Sequence, residues 1–438
     1  MSPRLPRRQA ERRGLRLWPV GIVLVLAFTT AVLVAAAVFY TGWDLLGARE
    51  LKPERRLDSK TLFDLVKLAF GVVAGAGALV ALVVAYRRQR VDEDGALRDG
   101  TRLHTERFTT AVSQLGDDSA AVRLGGVHAL AGLADDAPTR ELRQTCIDVL
   151  CAYLRLPYTA EADLPANDAG ARHTYLAVRE VRHTIIRLIR DHLRLPLQHH
   201  HSWQGHDFDF TGVTFDGGDF GQAIFSGGRV DFHRAEFSGG IVDFRLAVFS
   251  GGRVDFSGVK VSGGTVDFDG AKFSGARVNF GLAVVSRGRV EFEMAVFSGG
   301  RVDFEMAAFS GGTVDFHAAE FSGGTVSFGG ARFSGGIVHF GSAMFSGGTV
   351  YFGGTIGGGA TFSGGTVSFG GATFSGGTVN FGGATFSGGT VNFGASTFSG
   401  SIVTFIAATG AVPSGLLPAG SPLPEGLILP AAWQPTAS

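Results

Sequence analysis

"FSGGTVNFGGATFSGGTVNF", residues 374–393, repeats one twelve-residue phrase almost unchanged and contains no charged residue, Pro or Cys. Outward from this stretch, the residue that precedes Ser-Gly-Gly or its variants recurs at every twelfth position, from Phe225 to Phe345 and again from Phe362 to Phe398. A single step of 17 separates the two runs. A fixed period of this kind indicates an array of like structural units.

Four columns of apolar residues run through the array. Relative to the Phe before Ser-Gly-Gly, a Val follows at +5 (Val230 to Val403), a second Phe at +7 (Phe232 to Phe405) and a small residue, mostly Ala, at +10. The segments "TVNF" and "ATFS" alternate apolar and polar residues, which predicts two short strands per unit with the apolar side chains on one face. The Gly-Gly pairs predict turns that need a positive φ.

Two folds fit such a unit. Gly-Gly between short strands is typical of a hairpin, which would give an antiparallel meander, whereas a long fixed period favours a solenoid. About thirty strands in one meander would exceed the ~10 strands that stay in an open sheet, and their apolar face would lie uncovered. We therefore expect a β-solenoid over residues 207–409, in which the apolar columns bury one another.

The start of the array shows a five-residue spacing. In "HDFDFTGVTFDGGDFGQAIF", residues 206–225, four phenylalanines lie five apart, with a small or β-branched residue two positions before three of them: Phe210, Phe215, Phe220 and Phe225, and Val213, Gly218 and Ala223. The step of 17 is likewise 12 plus 5, which indicates that five residues are a tolerated structural unit.

In these features residues 207–409 resemble the bacterial pentapeptide-repeat family, whose unit is a small residue, any residue, Phe or Leu, and two more. The resemblance implies a right-handed, four-sided β-helix with Phe or Leu and small residues packed inside. The Phe spacing here is mostly 5 and 7 in alternation rather than a run of fives. A twenty-residue coil does not divide into twelve-residue units. Either the coil slips by two residues per unit, or one coil comprises a single unit or two units.

The N-terminal part contains two apolar stretches. Residues 17–40 and 68–86 have no charged residue, and each is long enough to cross ~30 Å of hydrocarbon. Arginines crowd the N-terminus, 1–16, and follow the second stretch at 87–90, which predicts two membrane spans with both ends in the cytoplasm and a short extracytoplasmic loop, 41–67. A cleaved signal peptide is the alternative for the first stretch, but its apolar run is long for one.

Residues 87–206 are expected to form a small helical module and a linker. "VRLGGVHALAGLA", residues 122–134, is typical of armadillo- or HEAT-like helices, and the segment is similar to the helical region found before the repeats in membrane members of the pentapeptide-repeat family. Cys146 and Cys151 lie five apart in a helical pattern, so we expect free, half-buried thiols in a reducing compartment. The Pro-rich tail, 410–438, is expected to be loose, although its apolar residues could cap the last repeat.

Charge is balanced overall but unevenly distributed. Lys+Arg and Asp+Glu number 39 each, so no global field indicates a nucleic-acid partner. Residues 333–409 contain no charged residue at all. In the earlier repeats we expect mixed, solvated faces formed by these residues: Asp231, Glu236, Asp243, Asp255, Glu291 and Glu293 beside Arg229, Arg234, Arg253 and Arg289.

No catalytic, cofactor-binding or metal-binding residue is predicted. The histidines before the array form a cluster that could attract a metal, but it lies in a loop without a Cys partner: His199, His200, His201 and His206. The sequence thus predicts a protein that is not an enzyme, without cofactor, nucleic-acid partner or evident small-molecule substrate.

These observations favour a non-enzymatic scaffold at the cytoplasmic face of a bacterial plasma membrane, which binds a protein partner or another copy of itself. The family resemblance adds an alternative, because some pentapeptide-repeat proteins are rod-shaped mimics of DNA that bind a topoisomerase. Such a mimic needs a dense negative stripe, which mixed and neutral repeats do not offer. A third hypothesis is that the Thr columns of the neutral half order water against ice.

Overall fold

A computed structural model of the chain describes residues 20–45, 58–354, 358–417 and 422–434. The chain divides into two compact units, Met1–Thr101 and Arg102–Ser438.

The first unit contains the apolar helical segments. Helix α1 spans Val20–Leu45, and helix α2 spans Ser59–Leu115 and so continues into the second unit. Within the described residues, one segment is long and apolar enough to cross a membrane by length and composition, Ser59–Gln89, which contains the second predicted span. Two spans were predicted; the first, 17–40, begins in residues outside the described ones.

The helical module of the second unit consists of the end of α2 and three further helices. These are α3 (Ala120–Asp135), α4 (Arg140–Leu154) and α5 (Ala169–Arg194), with a 3-10 turn at Glu161–Asp163. The side chains of Thr139 and Asp168 cap α4 and α5, because they accept hydrogen bonds from Leu142 N at 3.3 Å and Ala171 N at 2.9 Å. Helix α3 packs against α4 and α5.

The remainder of the second unit is a stack of short strands. In chain order they are β1 Phe208–Asp209, β2 Thr214–Phe215, β3 Gly218–Asp219, β4 Ile224–Phe225, β5 Arg229–Asp231, β6 Glu236–Phe237, β7 Ile241–Asp243, β8 Val248–Phe249, β9 Arg253–Asp255, β10 Lys260–Val261, β11 Thr265–Asp267, β12 Lys272–Phe273, β13 Arg277–Asn279, β14 Val284–Val285, β15 Arg289–Glu291, β16 Val296–Phe297, β17 Arg301–Asp303, β18 Ala308–Phe309, β19 Thr313–Asp315, β20 Glu320–Phe321, β21 Thr325–Ser327, β22 Arg332–His339, β23 Met344–Tyr351, β24 Thr361–Ser368, β25 Thr373–Asn380, β26 Thr385–Asn392, β27 Thr397–Phe398, β28 Ile402–Thr404, β29 Thr409–Gly410 and β30 Leu427–Ile428.

These strands form a β-solenoid, as predicted, and not a meander. They pair in parallel, in one sheet of 16 strands and one of 14. Arg229 lies beside Arg253 and Thr373 lies beside Thr397, so equivalent residues are 24 apart. The coil is therefore 24 residues long, one of the lengths that the sequence left open, and the solenoid has about nine turns.

Each coil contains four inward-facing Phe positions. In one coil these are Phe225, Phe232, Phe237 and Phe244, after which Phe249 stacks on Phe225 with ring centroids 5.0 Å apart. The chain runs along two opposite faces, each made of two short strands joined through Ser-Gly-Gly or a variant of it, and turns at two corners between them. The step between inward Phe residues is 7 where the chain crosses a face through Ser-Gly-Gly and 5 where it turns a corner. The two additional residues on each face explain the alternation of 5 and 7 in the Phe spacing.

The core is made of ring columns. Phe232 and Phe256 are parallel with centroids 4.5 Å apart, whereas Phe232 and Phe244 of the neighbouring column meet edge to face at 5.8 Å. Both geometries are favourable for aromatic pairs, by about 0.5–1.5 kcal/mol beyond burial. Val261 and Val285 interrupt one column, and an apolar cavity of about 30 Å³ lies beside them.

The Gly-Gly pairs are required for two reasons. The second glycine has a positive φ, as predicted: Gly365 has φ +69°. In addition, the coils approach so closely that a Cβ on Gly365 would lie 2.5 Å from the carbonyl oxygen of Gly336. At the corners a left-handed residue is also required, but there non-glycine residues occupy it in several coils, such as Leu246 and Met294 with φ of 57° and 52°.

The one longer step of the array, between Phe345 and Phe362, is accommodated at one corner. Phe333 pairs with Phe362 and Phe345 pairs with Phe374, each five positions beyond the regular spacing, and Phe362 pairs with Phe386 at that spacing again. The additional residues lie between Phe352 and Ala360, where the amide of Ala360 donates to the carbonyl of Phe352 at 2.6 Å. The insertion therefore leaves the register of both sheets unchanged.

Both ends of the solenoid are covered. At the first coil, the Cδ1 atom of Ile186 in α5 lies 2.9 Å from the position that a Cβ on Gly218 would occupy. At the last coil, strand β30 pairs with β28, and the ring of Trp433 packs 5.6 Å from that of Phe405. The indole of Trp433 also donates to the carbonyl of Gly410 at 3.1 Å. The tail thus caps the solenoid.

The close approach of the coils predicts unequal effects of two identical substitutions. Gly383 has the same φ as Gly365, +69°, but a Cβ there would meet nothing within 4 Å. We expect Gly383→Ala to cost about 1–2 kcal/mol, the penalty for a left-handed L-residue, and Gly365→Ala to cost about 1–3 kcal/mol more because of the clash. Thermal unfolding of the full chain, followed by circular dichroism, measures both. Equal losses would show that φ alone requires the glycine.

Candidate interaction surface

One face of the charged half has a ladder of arginines. Arg229, Arg253, Arg277 and Arg301 lie in register, one in each successive coil. Three of them pair with the acid two residues further on: Arg229 with Asp231 at 2.5 Å, Arg253 with Asp255 at 2.8 Å and Arg301 with Asp303 at 2.5 Å. The ladder is therefore largely neutralised within each coil.

In most units the residue before the second Phe stabilises a corner. Oδ1 of Asp231 accepts from the amide of His233 at 2.9 Å, and Oδ1 of Asn380 accepts from the amide of Gly382 at 2.6 Å. This is the local turn that Asp, Asn and Ser favour. Asp231 and Asp255 are only 8% and 5% exposed, so the prediction that they lie on a solvated face is wrong. The recurrence of Asp, Asn or Ser directly before the second Phe is the sequence feature that could have indicated this corner role.

The opposite face of the charged half has an acidic stripe. Asp243, Asp267 and Glu291 follow one another in register, and Asp269 and Glu293 lie at the adjoining corner. Burial, together with the neighbouring carboxylates, raises the pKa of Asp269 to about 6. Its Oδ1 atom is buried without a hydrogen-bond partner.

The neutral half presents flat, uncharged faces. In strands β22 to β26 the Ser-Gly-Gly segment is part of a continuous strand of 8 residues. Thr side chains form columns across the coils, with Oγ1 atoms 3.3 Å apart for Thr397 and Thr373 and 3.5 Å apart for Thr409 and Thr385. Because helices cover one end of the solenoid and the tail covers the other, the lateral faces of the charged and neutral halves are its main free surface.

A buried polar network joins the helical module to the first coil. Asp216 occupies the Ser position of that coil, and its Oδ2 atom accepts from the hydroxyls of Tyr158 and Tyr175, each at 2.6 Å. Burial favours a higher pKa for Asp216, but the neighbouring His183 ring, whose Nε2 lies 3.7 Å from Oδ1, and the hydrogen bonds from the two tyrosines outweigh it and lower the pKa to about 2. Arg182 donates to the carbonyls of Leu154 and Thr214, at 2.6 Å and 2.7 Å.

The histidine cluster has structural contacts. The rings of His199 and His200 stack at 4.7 Å, and His206 Nδ1 lies 3.0 Å from Oε1 of Gln144. Burial, assisted by Arg140 and Arg143, lowers the pKa of His206 to about 4. Within the described ranges, no group of three His, Cys, Asp or Glu is arranged to hold a metal ion.

The two cysteines are free, as predicted, but they are not half-buried. Cys146 and Cys151 are 0% and 1% exposed and belong to the core of the helical module. Burial raises the pKa of the Cys146 thiol to about 11 and that of Cys151 further. Both thiols therefore act as small apolar core residues.

No protein-family model, curated protein or solved structure matches this chain. Its function must be inferred from its own geometry.

The raised pKa of Asp269 predicts a stabilising substitution. Because the folded chain holds this proton more tightly than the unfolded chain, whose pKa is near 3.8, stability present at low pH is lost as the pH rises to about 6. Asp269→Asn should remove this loss and stabilise the protein above that pH by about 1 kcal/mol, after a discount for solvent screening. Denaturant midpoints at about pH 4 and about pH 7 measure the difference.

Asp255→Asn is a control for which we expect the opposite change in stability at neutral pH. Burial opposes ionisation of Asp255, but hydrogen bonds from Ser257 and the neighbouring Arg253 lower its pKa. Its charge therefore contributes stability above its ordinary pKa, and the variant should be less stable than the wild type at neutral pH. A stabilised Asp255→Asn or a destabilised Asp269→Asn would contradict this account of the two faces.

Proposed function

We propose that the protein is a non-enzymatic, membrane-anchored scaffold whose copies associate laterally through the neutral faces of residues 333–409. The observation that supports this most is the combination of two covered ends with flat, uncharged sides. The two faces of the neutral half carry nearly the same sequence, so a second copy presents a matching surface. Association with a different protein is the other form of this proposal.

We place the solenoid on the cytoplasmic side of a bacterial plasma membrane, with the apolar segment Ser59–Gln89 as one span of the anchor and the apolar stretch 17–40 as the other. The basic residues at 1–16 and 87–90 support this orientation. We further propose that the solenoid is a right-handed helix of the pentapeptide-repeat kind. Four inward Phe positions per coil, each two residues after a small or β-branched residue, support the resemblance.

A tether compensates for the small size of the neutral face. A strand of 8 residues is about 26 Å long, and three neighbouring strands cover about 14 Å. The resulting area of about 400 Å² is half of the ~800 Å² per partner found in stable interfaces. Confinement to a membrane raises the effective concentration of copies, so that a weak lateral contact suffices.

The composition of the core favours a scaffold over an enzyme. The inward positions of the coils are Phe, Val and Ala, which offer no group for acid–base or nucleophilic chemistry. The buried Asp side chains of the coils are hydrogen-bonded at corners, lie in the acidic stripe or, for Asp216, accept hydrogen bonds from the helical module.

The DNA-mimic alternative has less support. Together with Asp219 and Asp315 in the coils before and after it, the acidic stripe spans five coils, about 19 Å, over which B-DNA carries about 11 charges. Seven carboxylates and three arginines leave a net charge of only four here: Asp219, Asp243, Asp267, Asp269, Glu291, Glu293 and Asp315, with Arg190, Arg245 and Arg289.

The ice-binding alternative is supported by the regular Thr columns. The proposed cytoplasmic location opposes it, because ice does not form there. Inhibition of ice recrystallisation by the purified chain would favour this alternative over the scaffold.

Site-specific photo-cross-linking tests the scaffold. A photoreactive amino acid replaces Ser375 in the neutral half, and in a second variant it replaces Ser250, which is also exposed and follows the equivalent Phe in the charged half. We expect adducts from position 375 and few from position 250, in native membranes. Adducts of the chain with itself indicate lateral assembly, and a reproducible foreign adduct identifies a client protein.

Equal yields from the two positions would show that the neutral face is not preferred. No adduct from position 375, at normal expression and with the protein intact in the membrane, would contradict the proposal.

A further inference from the structure

One column of inward side chains has a gap in its rings, which we call the ring gap. Throughout the array, the Phe that precedes Ser-Gly-Gly or its variants is replaced only by Val261 and Val285. The two valines lie in register in adjacent coils, with Phe237 in the coil before them and Phe309 in the coil after them. Because Val is smaller than Phe, two successive rings are missing from one place in the core.

The rings on either side of the ring gap are inclined but do not close it. Phe237 is inclined by 18° to the preceding ring of its column, and Phe309 by 13° to the following one. In an unbroken column, by contrast, the rings of Phe273 and Phe297 are inclined by only 3°. A cavity of about 30 Å³ remains between the coils.

This space lies mainly beside Val285. Two positions before Val261 the small residue of the unit is Val259 rather than Ala, and its larger side chain fills part of the space. Two positions before Val285 the residue is Ala283, which is 6% exposed, whereas Ala331, two coils further in the same column, is 0% exposed. Ala283 thus has surface that the neighbouring side chains leave uncovered.

The cavity is chemically suited to an apolar occupant. Its lining consists of Phe, Val and Ala side chains. Strand β14, which contains Val285, pairs with β10 and β18, and these pairings engage its backbone groups. A buried water needs two to four polar partners, so such a space stays dry. Atoms that line a dry space lack dispersion contacts, and a molecule without hydrogen-bonding groups restores them.

The size of the cavity limits the occupant to a very small molecule. A cavity needs about 10–15 Å³ to admit one water, and one of about 150 Å³ admits benzene. At about 30 Å³ the ring gap has room for a molecule of two atoms and not for an aromatic ring. Apolar molecules of this size are diatomic gases.

We propose that the ring gap binds a diatomic apolar gas of the size of dioxygen, against the side chains of Val285 and Ala283. The site lies inside the coil stack, so it is independent of the lateral association proposed above.

Paramagnetic relaxation of methyl protons by dioxygen tests the site in the full chain. Ala and Val methyl groups are isotope-labelled, the protein is kept in deuterated detergent, and the dioxygen pressure is raised stepwise from a degassed reference. We expect the relaxation of the Ala283 methyl to increase roughly threefold or more over that of the Ala331 methyl, because an apolar gas leaves water for an apolar space.

Two substitutions of Val285 change the size of the site in opposite directions. Val285→Phe restores the residue that the array has elsewhere, in the same setting as Phe273 with Ala271, so we expect the fold to be kept. It should abolish the excess relaxation at Ala283 and raise the melting temperature by about 2 °C or more, as filling a cavity does. Val285→Ala enlarges the space and should roughly double the excess relaxation.

Val284→Phe is the matched control. It introduces the same ring one residue earlier in strand β14, where successive side chains point to opposite faces of the sheet. Val284 is half-buried on the outward side, so the added ring does not enter the ring gap. The excess relaxation at Ala283 should remain unchanged.

Four results would overturn the proposal. They are equal relaxation of the Ala283 and Ala331 methyls in the wild type, an excess at Ala283 that survives Val285→Phe, an excess that Val284→Phe also abolishes, and a melting temperature that Val285→Phe lowers. The last result would show that the space has no room for a ring.

Discussion

Stacked phenylalanine rings are the interaction on which the rest of this structure depends. Rings one coil apart have centroids separated by 4.5–5.0 Å, which is close to the ~4.8 Å spacing of paired strands. The backbones of successive coils must approach equally closely between the strands, which is why glycine predominates at positions such as Gly364 and Gly365, where a Cβ would clash with the preceding coil. The ring columns thus explain the period of the sequence and its high glycine content together.

Because the inward rings and the glycines determine the path of the backbone, most outward positions are free to change. The same backbone carries Arg–Asp pairs in the charged half and Thr columns in the neutral half, without a change of register. Exceptions are the corner residues, such as Asp231 and Asn380, whose side chains hold backbone amides. Surface chemistry can therefore vary along the solenoid, and a face or groove can arise from substitutions that do not affect the core.

The sequence was sufficient to predict the solenoid, because the Phe, Val and Ala columns define its inside. It did not determine the coil length, since a coil of one unit and a coil of two units satisfy the same columns; the extra two residues at each Ser-Gly-Gly decide it. The burial of Asp231 was missed because a one-dimensional pattern does not distinguish an outward strand position from a corner. The network around Asp216 depends on Tyr158, which lies far away in the sequence, and no local pattern reveals such a contact.

The two covered ends determine what kind of association remains. An open sheet edge offers unpaired amides and carbonyls, which drive strong, unlimited pairing. Here Ile186 lies against the first coil, and β30 and Trp433 lie on the last one, so only short segments of strand edge remain at the described ends. Thr, Ser and Asn occupy most outward positions in the neutral half, with Ile337, Met344, Ile402 and Ile406 exposed among them. Contacts through them would be weak and reversible, and the proposed membrane tether would make them significant by raising the effective concentration of copies.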